Sequence, residues 1–461
     1  MRDIPSALAM VTDDATEAFA AKPGASSRKS WLRRRPHSPP PCYIAQLPEK
    51  ILFEIFMLHC LPPRWDACSR APPAPMVLSH VCRQWRLIAL SLPILWSWFS
   101  PAVWRAYAEN PAPILLVQLW LERSRGCPLA LNFGPERIFP ATRLLFPNIH
   151  RWGSFDVILS DDIAKDLVNA PLENAFLLER LDVTTYSLSQ ELHDEWADCL
   201  PRLPNLRRLA WKSSNSPELL LQNAPWSSLT HIELFISLSM KECVSLLGLC
   251  TQAMHIGIGV VTSVADDITS VPTMLPRLAY LRVQLHSDAV GALLRHFTLP
   301  SLRTLRFNTL YPSTTRQSNG FEDFVLRSSC VLEILHIHDV DLHEDDLVCF
   351  LGMPCLQSLR EFKVTSKNMT QRTLSRLIYP NAPGVEGIFP HLERLHLEYI
   401  RAPDGLLSDM IASRWRPVRD NNLPASLQNV GVVPHSIHSH GRDRSHLKKF
   451  AEQGLWVGMK W

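Results

Sequence analysis

Apolar residues recur along the second half of the chain as a spaced unit, apolar-x-x-apolar-x-apolar. The last two apolar positions alternate with a polar one, as in a half-buried strand, and helix-like patterns follow at residues 241–250, 320–329, 344–351 and 370–379. The pattern predicts repeated strand–turn–helix units whose strands pair in parallel and whose helices cover one side. The ten units begin at Leu178, Leu206, Leu229, Ala253, Leu278, Leu302, Leu332, Leu359, Leu392 and Leu427, in steps of 23 to 35 residues.

A helix that is apolar on nearly all sides is predicted near the N-terminus. Residues 51–58 read ILFEIFML, in which Glu54 is the only polar residue, and Pro48 suits the first turn of a helix. A second helix is predicted over residues 76–90, where Pro93 ends it before an apolar plug at 94–96. Because a surface helix needs only an apolar stripe, and about fifty residues bury too little surface to be stable alone, this segment needs cover. The cover comes from a neighbouring domain, a second protein, or both.

Weaker patterns fill the remaining segments. Residues 100–160 indicate a helix ending near Arg125 and strands at 127–133 and 154–159, and residues 445–453 indicate a short terminal helix. Residues 1–41 are rich in Ala, Ser and Pro without a period, which is typical of disorder. We predict an α/β solenoid with five parts: a disordered tail (1–41), a helical domain (42–100), a linking helix and strands (101–170), the solenoid (171–435) and a C-terminal tail or cap (436–461).

Charge and composition limit the cellular compartments and the classes of partner that the sequence is compatible with. The net charge of +3 is too small to indicate nucleic acid as a general partner. No apolar run approaches the ~18 residues of a membrane span, and the acidic residues among the first twenty argue against a secretory signal. The eleven Cys are scattered without a CxxC pair, which is typical of reduced thiols. We predict a cytoplasmic or nuclear protein with no membrane or nucleic-acid partner. Residues 33–35 are an import signal or, as the favoured interpretation, a solvated charge run.

No catalytic motif is found in the sequence, which argues against an enzyme and predicts neither cofactor nor metal. The acids after His343 follow a strand and open a helix, where they complement the helix dipole. His336 and His338 flank a buried strand position and are either recognition residues or exposed strand residues. His435, His438, His440 and His446 have metal-ligand chemistry, but no Cys joins them, and a polar loop before a terminal helix is the favoured interpretation.

The segment 47–99 resembles an F-box. The family pattern, Leu-Pro near the start, Val-Cys-x-x-Trp in the middle and Leu-Trp at the end, is matched here at Leu47, Pro48, Ile51, Val81, Cys82, Trp85, Ile88, Ala89, Leu95 and Trp96. The chain departs from the pattern at Lys50, where an acid is usual, and in a Pro-rich insertion at residues 62–75. Such an insertion lengthens a loop and adds little to the entropic cost of closing it. The segment that follows is similar to that of large fungal F-box proteins.

The resemblance implies a substrate-recognition subunit of a Skp-cullin-F-box ubiquitin ligase, in which the F-box docks a Skp-type adaptor and, through it, a cullin. An unknown protein target is then held by the repeats, and the chain itself catalyses nothing. The partner-binding residues that we expect are Leu47, Pro48, Ile51, Ile55, Leu78, Val81, Cys82, Trp85 and Trp96. Trp85 and Trp96 are expected both to hold the helices together and to contact the adaptor.

The repeated units resemble degenerate leucine-rich repeats, which implies a parallel sheet on a concave face with helices outside. Ser214, Leu310, Val340 and Ile400 stand where regular repeats carry a polar residue after the strand. The polar ladder of regular repeats is therefore not expected, and the uneven step lengths predict uneven curvature. A scaffold that binds partners through the repeats, without a ligase, is the alternative function.

Overall fold

The computed structural model describes residues 44, 47–60, 74–99, 112–133, 143–186, 188–214, 218–262, 271–285, 289–309, 319–380, 387–415, 427–435 and 440–459. The chain divides into two units, Met1–Leu52 and Phe53–Trp461. The predictions for residues 1–41, for residues 33–35, for most of the Pro-rich insertion and for His438 lie outside the described residues.

Helices and strands alternate through the chain. The helices are α1 Glu49–Cys60, α2 Ala74–Val81, α3 Arg83–Ser91, α4 Ala112–Ser124, α5 Asp161–Val168, α6 Gln190–Ala197, α7 Glu218–Asn223, α8 Met240–Leu249, α9 Ala289–Arg295, α10 Asn319–Ser328, α11 Glu344–Leu351, α12 Gln371–Leu377, α13 Leu406–Arg414 and α14 Gly441–Glu452. The strands are β1 Trp98–Phe99, β2 Leu129–Phe133, β3 Trp152–Leu159, β4 Arg180–Thr185, β5 Arg208–Ser213, β6 His231–Leu238, β7 His255–Val261, β8 Thr273–Met274, β9 Tyr280–Leu285, β10 Phe297–Thr298, β11 Thr304–Thr309, β12 Ile334–His338, β13 Glu361–Thr365, β14 Arg394–Ile400, β15 Asn429–Pro434 and β16 Trp456–Met459.

One sheet of fourteen parallel strands runs through the described residues in chain order, while β8 and β10 form a separate parallel pair. Crossovers between adjacent parallel strands share one hand, so the helices lie on one side of the sheet, where several pairs of consecutive helices pack on each other. The burial pattern agrees: Leu181, Val183 and Thr185 are buried, whereas Arg180 is exposed and Asp182 is half-buried. We call the side that carries Arg180, Asp182 and their counterparts in other strands the open face. The predicted α/β fold with parallel strands is confirmed.

The predicted units coincide with strands in register. Leu181 of β4 pairs with Leu209 of β5, and the same position continues strand by strand to Val430 of β15. The other strand position of the unit runs likewise from Val183 to Val432. All of these side chains are buried, as is the first apolar residue of every unit. The three apolar positions therefore build one continuous core on the helical side.

A backbone pattern repeats at the start of these strands. The carbonyl oxygen of Arg207 accepts hydrogen bonds from the N–H groups of Thr230 and His231, at 2.8 and 3.1 Å. The carbonyl of the residue directly before each of these strands thus accepts hydrogen bonds from two N–H groups of the next unit. These backbone bonds join one unit to the next independently of side chains. The acceptors are Glu179, Arg207, Thr230, Met254, Ala279, Arg303, Glu333, Arg360 and Glu393.

Arginines at the ends of several helices reach back to the end of the preceding helix. Arg202 donates to the carbonyl of Ala170 at 2.6 Å, and Arg327 donates to that of Leu294 at 2.8 Å. Arg414 is buried and donates to three carbonyls, those of Leu377, Ile388 and Phe389, at 2.6, 2.8 and 3.2 Å. A cation at a helix C-terminus satisfies orphan carbonyls and complements the dipole. These arginines therefore link neighbouring units.

Two regions differ from the sequence-based expectations. The helix predicted over residues 76–90 is interrupted at Cys82, whose backbone is extended (φ −158°, ψ 172°), so that α2 and α3 are separate helices. The interruption was not predicted because no Gly or Pro marks it. The sheet also takes β1, β2 and β3 before the ten units and β16 after them, and so includes strands from the segments expected to be a linker and a tail or cap.

Candidate partner-binding surfaces

Helix α1 is divided lengthwise into a buried and an exposed side. Leu52 and Phe56, one turn apart, are buried, whereas Ile51, Ile55 and Leu58 are exposed. Residues at i, i+3 and i+4 share one face of a helix, so the exposed apolar residues form a stripe along α1. The nearly uniform apolar character of residues 51–58 thus resolves into one core side and one solvent side.

The Val-Cys-x-x-Trp sequence builds the junction between α2 and α3. The Sγ of Cys82 accepts a hydrogen bond from the N–H of Trp85 at 3.4 Å and so caps the N-terminus of α3. The Trp85 ring lies edge-on to Phe56 with centroids 4.9 Å apart. Trp85 is half-buried, while Val81 and Cys82 are exposed. The motif therefore fixes the helix geometry and leaves its first two residues at the surface.

Trp96 lies in a short 3₁₀ turn, Pro93–Trp96, and is completely buried. Its Nε1–H donates to the carbonyl of Ala89 at 2.8 Å, and its ring lies edge-on to Trp120 with centroids 4.7 Å apart. The Arg123 guanidinium stacks 4.3 Å from the ring centroid, and burial lowers the pKa of this arginine. Trp96 therefore anchors the plug to α3 and α4.

The structure distributes the expected partner-binding residues over surface and core. In the unit Met1–Leu52, Leu47 is half-buried and Pro48 and Ile51 are exposed. In the unit Phe53–Trp461, Ile55, Val81 and Cys82 are exposed and Trp85 is half-buried, whereas Leu78 and Trp96 are only 4% and 0% exposed. Leu78 and Trp96 therefore serve the helical core in this structure. Their role in a contact with a partner stays a prediction.

Other exposed apolar residues on these helices were not singled out from the sequence. Val77 lies one turn before Val81 on α2, and Leu87 on α3 is 61% exposed. The i, i+4 spacing of Val77 and Val81 was a usable signal. We call Ile55, Leu58, Val77, Val81 and Leu87 the exposed helical set. Exposed apolar residues concentrated on consecutive short helices are typical of a surface that a partner covers.

The open face of the sheet carries charged residues paired across strands. The Glu233 carboxylate on β6 lies 2.6 Å from His255 Nε2 on β7 and also pairs with Arg282 on β9. It reaches past Gly257, where a Cβ would lie 2.1 Å from a Glu233 oxygen. The glycine pair at 257 and 259 thus serves the sheet surface and the close approach of strands. Burial alone would raise the pKa of Glu233, but hydrogen bonds from His255 and Arg282 lower it.

A second cluster of charges follows on the later strands. Glu361 lies 2.6 Å from His336 Nε2 and 2.7 Å from Arg394 Nε, while Lys363 pairs with Glu398 at 3.1 Å. The hydrogen bond from His336, helped by the charge of Arg394, lowers the pKa of Glu361 to about 2. His336 is therefore hydrogen-bonded within a cluster of charged side chains, whereas His338 is exposed.

Between these clusters a cleft of about 240 Å³ opens on strands β9, β11, β12 and β13. Its polar lining residues are Arg282, Gln284, Arg306, Asn308, His336, His338 and Lys363. The Nε of Arg306 and the Oδ1 of Asn308 are buried and have no hydrogen-bond partner among the described residues. The cleft is rich in donors and carries no lining carboxylate among the described residues, which suits an anionic ligand.

Acidic residues occupy the opposite end of the open face. Asp156 on β3 stands beside Asp182 on β4 and accepts a hydrogen bond from Asn132 at 2.8 Å. Burial, together with the Asp182 charge, raises the pKa of Asp156 to about 7, with Arg180 acting in the opposite sense. Two carboxylates are therefore direct neighbours at this end of the sheet.

One group of possible metal ligands, Asp404, His440 and Asp443, lies within 4.8 Å among the described residues. Its carboxylates already have donors. Asp404 accepts from the N–H groups of Arg442 and Asp443 at 2.9 and 3.0 Å, and Asp443 accepts from the N–H of Ser408 at 2.8 Å. These bonds cap the N-termini of α13 and α14, so the group links the last two helices.

Burial raises the pKa of Cys243, Cys250 and Cys355 to about 12, which keeps these thiols protonated.

The acids that open α11 lie in its first turn, as expected from the sequence. Among the described helices, none combines the length and the apolar character that a membrane crossing requires.

Neither the family models nor the curated proteins compared with this chain give a match. Function is therefore inferred from two surfaces of the chain itself, the exposed helical set and the open face.

Proposed function

We propose that the chain is a substrate-recognition subunit of a Skp-cullin-F-box ubiquitin ligase. In this proposal α1, α2 and α3 form an F-box that docks a Skp-type adaptor. The parallel sheet is a degenerate leucine-rich-repeat array that holds a protein target on its open face.

The exposed helical set is the observation that carries the proposal. Val81 is 55% exposed and Ile55 is 40% exposed, although both lie on helices built around a well-packed aromatic core. Burying such side chains in a partner is worth ~1.5–3 kcal/mol each at full burial. A chain that kept them for its own folding would cover them. The motif positions Val81 and Cys82 lie on this exposed side, which supports docking over internal packing.

The repeat array supports the second half of the proposal. Its open face is lined by polar and charged residues of variable identity, while the core positions keep one apolar pattern. A rigid surface of this kind holds a target by side chains that are free to differ from strand to strand. The chemistry of ubiquitin transfer then belongs to other subunits, and the chain contributes proximity, which raises the effective concentration of the target.

Co-elution with a purified Skp-type adaptor tests the proposal. Val81→Glu and Leu87→Glu should each weaken binding by about tenfold or more, because a charge then has to be buried in an apolar contact. Leu326→Glu is the matched control, since Leu326 is an exposed leucine on α10, outside the exposed helical set. Absence of co-elution, or equal loss in all three variants, would overturn the F-box assignment.

A non-ligase scaffold is the second candidate. Leu78 and Trp96 are buried, as expected if the helices mainly support the sheet. Reconstitution with adaptor, cullin and ubiquitin carrier separates the two functions: a scaffold binds its partners through the open face but supports no ubiquitin transfer to them.

A further inference from the structure

Arg306 is the starting point of a binding site on the open face. It lies on β11 between Arg282 of β9 and His336 of β12, which pair with it in the sheet register. Its side chain is half-buried, and within the described part of the chain its Nε has no hydrogen-bond partner and its guanidinium forms no ion pair with a carboxylate. Its guanidinium lies 5.5 Å from the ring centroid of Tyr280. A buried donor without a partner is costly, and such a group in a cleft is explained by a ligand that supplies the acceptor.

The charges around Arg306 define the charge of that ligand. On the open face of the strands from β6 to β14, four cations stand against three carboxylates. Each carboxylate already pairs with one of the other cations or with a histidine. The cations exceed the carboxylates by one, and Arg306 is the cation that has no carboxylate partner among the described residues. The cations are Arg282, Arg306, Lys363 and Arg394; the carboxylates are Glu233, Glu361 and Glu398.

Asn308 needs a hydrogen-bond donor from the ligand, whereas Arg306 needs an acceptor. Its Oδ1 is buried and lacks a donor, and it lies two residues along the same strand, roughly 7 Å from Arg306. A ligand that satisfies both residues offers an acceptor with one negative charge and, close by, an N–H donor. A peptide carries both groups, because an acidic side chain supplies the carboxylate and the backbone supplies the N–H. A free inorganic anion supplies only the first.

We infer that the cleft around Arg306 and Asn308 binds a carboxylate side chain, Asp or Glu, of an extended segment of a protein partner. The guanidinium of Arg306 donates to the carboxylate, and Asn308 accepts from a backbone N–H of the same segment. The cleft of about 240 Å³ holds one such side chain with its adjoining backbone. This inference rests on the proposed function only in taking the partner to be the target held by the open face. A phosphorylated side chain fits less well, because its second negative charge meets no second Arg or Lys without a carboxylate partner on these strands.

Binding of the full-length chain to arrayed short peptides with random flanks tests the inference. The central residue is Glu in one pool, Gln in the second and phosphoserine in the third. Glu peptides should bind about tenfold more tightly than Gln peptides, as expected for one charge-assisted hydrogen-bonded contact. Arg306→Gln should abolish this preference. Arg303→Gln should retain it, because Arg303 is exposed, pairs with Glu333 and removes the same charge.

Equal binding of Glu and Gln peptides, or an unchanged preference in Arg306→Gln, would overturn the inference. Tighter binding of phosphoserine than of Glu peptides would overturn the choice of a carboxylate. Arg306→Gln should keep the thermal midpoint of the wild-type chain, since its Nε makes no internal bond. If that variant unfolds, Asn308→Leu replaces it and should weaken Glu and Gln peptides alike. Adaptor co-elution is a separate measurement. If the chain binds acidic peptides but not the adaptor, the proposed ligase function is contradicted, whereas the proposed binding site in the cleft is not.

Discussion

Asp156 makes the free energy of unfolding depend on pH. The isosteric substitution Asp156→Asn separates this effect from that of other groups. Its carboxylate stands next to that of Asp182 in the sheet register, and burial with this neighbouring charge raises its pKa from 3.8 to about 7. Because the folded-state pKa lies above the unfolded one, the associated stability is fully present below pH ~4. It is lost as the pH rises through about 7. Asp156→Asn keeps the hydrogen bond from Asn132 and removes the charge.

The magnitude follows from the pKa difference. Moving a carboxyl pKa from 3.8 to about 7 corresponds to about 4 kcal/mol. Asp156 is partly exposed, and solvent screening reduces the effect to ~2 kcal/mol. We therefore expect Asp156→Asn to match the wild type near pH 4 and to be more stable by ~2 kcal/mol at pH 8.

Urea unfolding of both proteins across this pH range gives the difference directly, since the titrating groups that do not interact with Asp156 cancel between them. Asp162→Asn is the control, because Asp162 is exposed in the first turn of α5 and its substitution removes the same charge away from Asp182. A wild-type–variant difference that does not change with pH, or a less stable Asp156→Asn at pH 8, would refute the reasoning.

Three further predictions concern single residues. Arg414→Met should lower the free energy of unfolding by about 3 kcal/mol or more, because three carbonyls lose their donor; a loss below ~1 kcal/mol in urea unfolding contradicts this role. Cys82→Asp should slow amide hydrogen exchange in α3 by strengthening its N-cap by ~0.5–1 kcal/mol, and faster exchange argues against the cap. Glu361→Gln should cost ~1 kcal/mol at pH 7 after allowance for exposure. In urea unfolding, that cost should fade as the pH drops from 4.5 through about 2, since the wild-type carboxylate has a lowered pKa; a cost that persists at the acid end contradicts the pairing.

The parallel sheet was predictable because its signal is local. Each unit places three apolar residues within six positions, so a strand and its buried side are recognised without knowing the neighbouring unit. The short strands β1 and β16 were not recognised, since Trp98–Phe99 and Trp456–Met459 do not show the full unit. The break at Cys82 was missed for a related reason: a cysteine is a weak hydrogen-bond acceptor and not a usual helix cap.

The open face was less predictable than the core, because its contacts join residues far apart in the sequence. Glu233 reaches His255, 22 residues away, and Arg282, 49 residues away. The unit length varies from 23 to 35 residues, so the sequence alone does not fix which charges become neighbours. His336 illustrates the limit: its place on the open face followed from strand alternation, but its pairing with Glu361 did not.

The irregular spacing of the units follows from how they are joined. Regular repeats use a side-chain ladder that requires one polar residue at a fixed place in every turn. Here the paired N–H donors at each strand start use only backbone atoms, and they tolerate any residue and any helix length between strands. Arg202, Arg327 and Arg414 then bind the helix ends, and the long arginine side chain bridges connections of different length. Because neither device uses side chains of the open face, the residues there are free to differ from strand to strand, and the partner contact that we propose at Arg306 and Asn308 places no demand on the joining of the units.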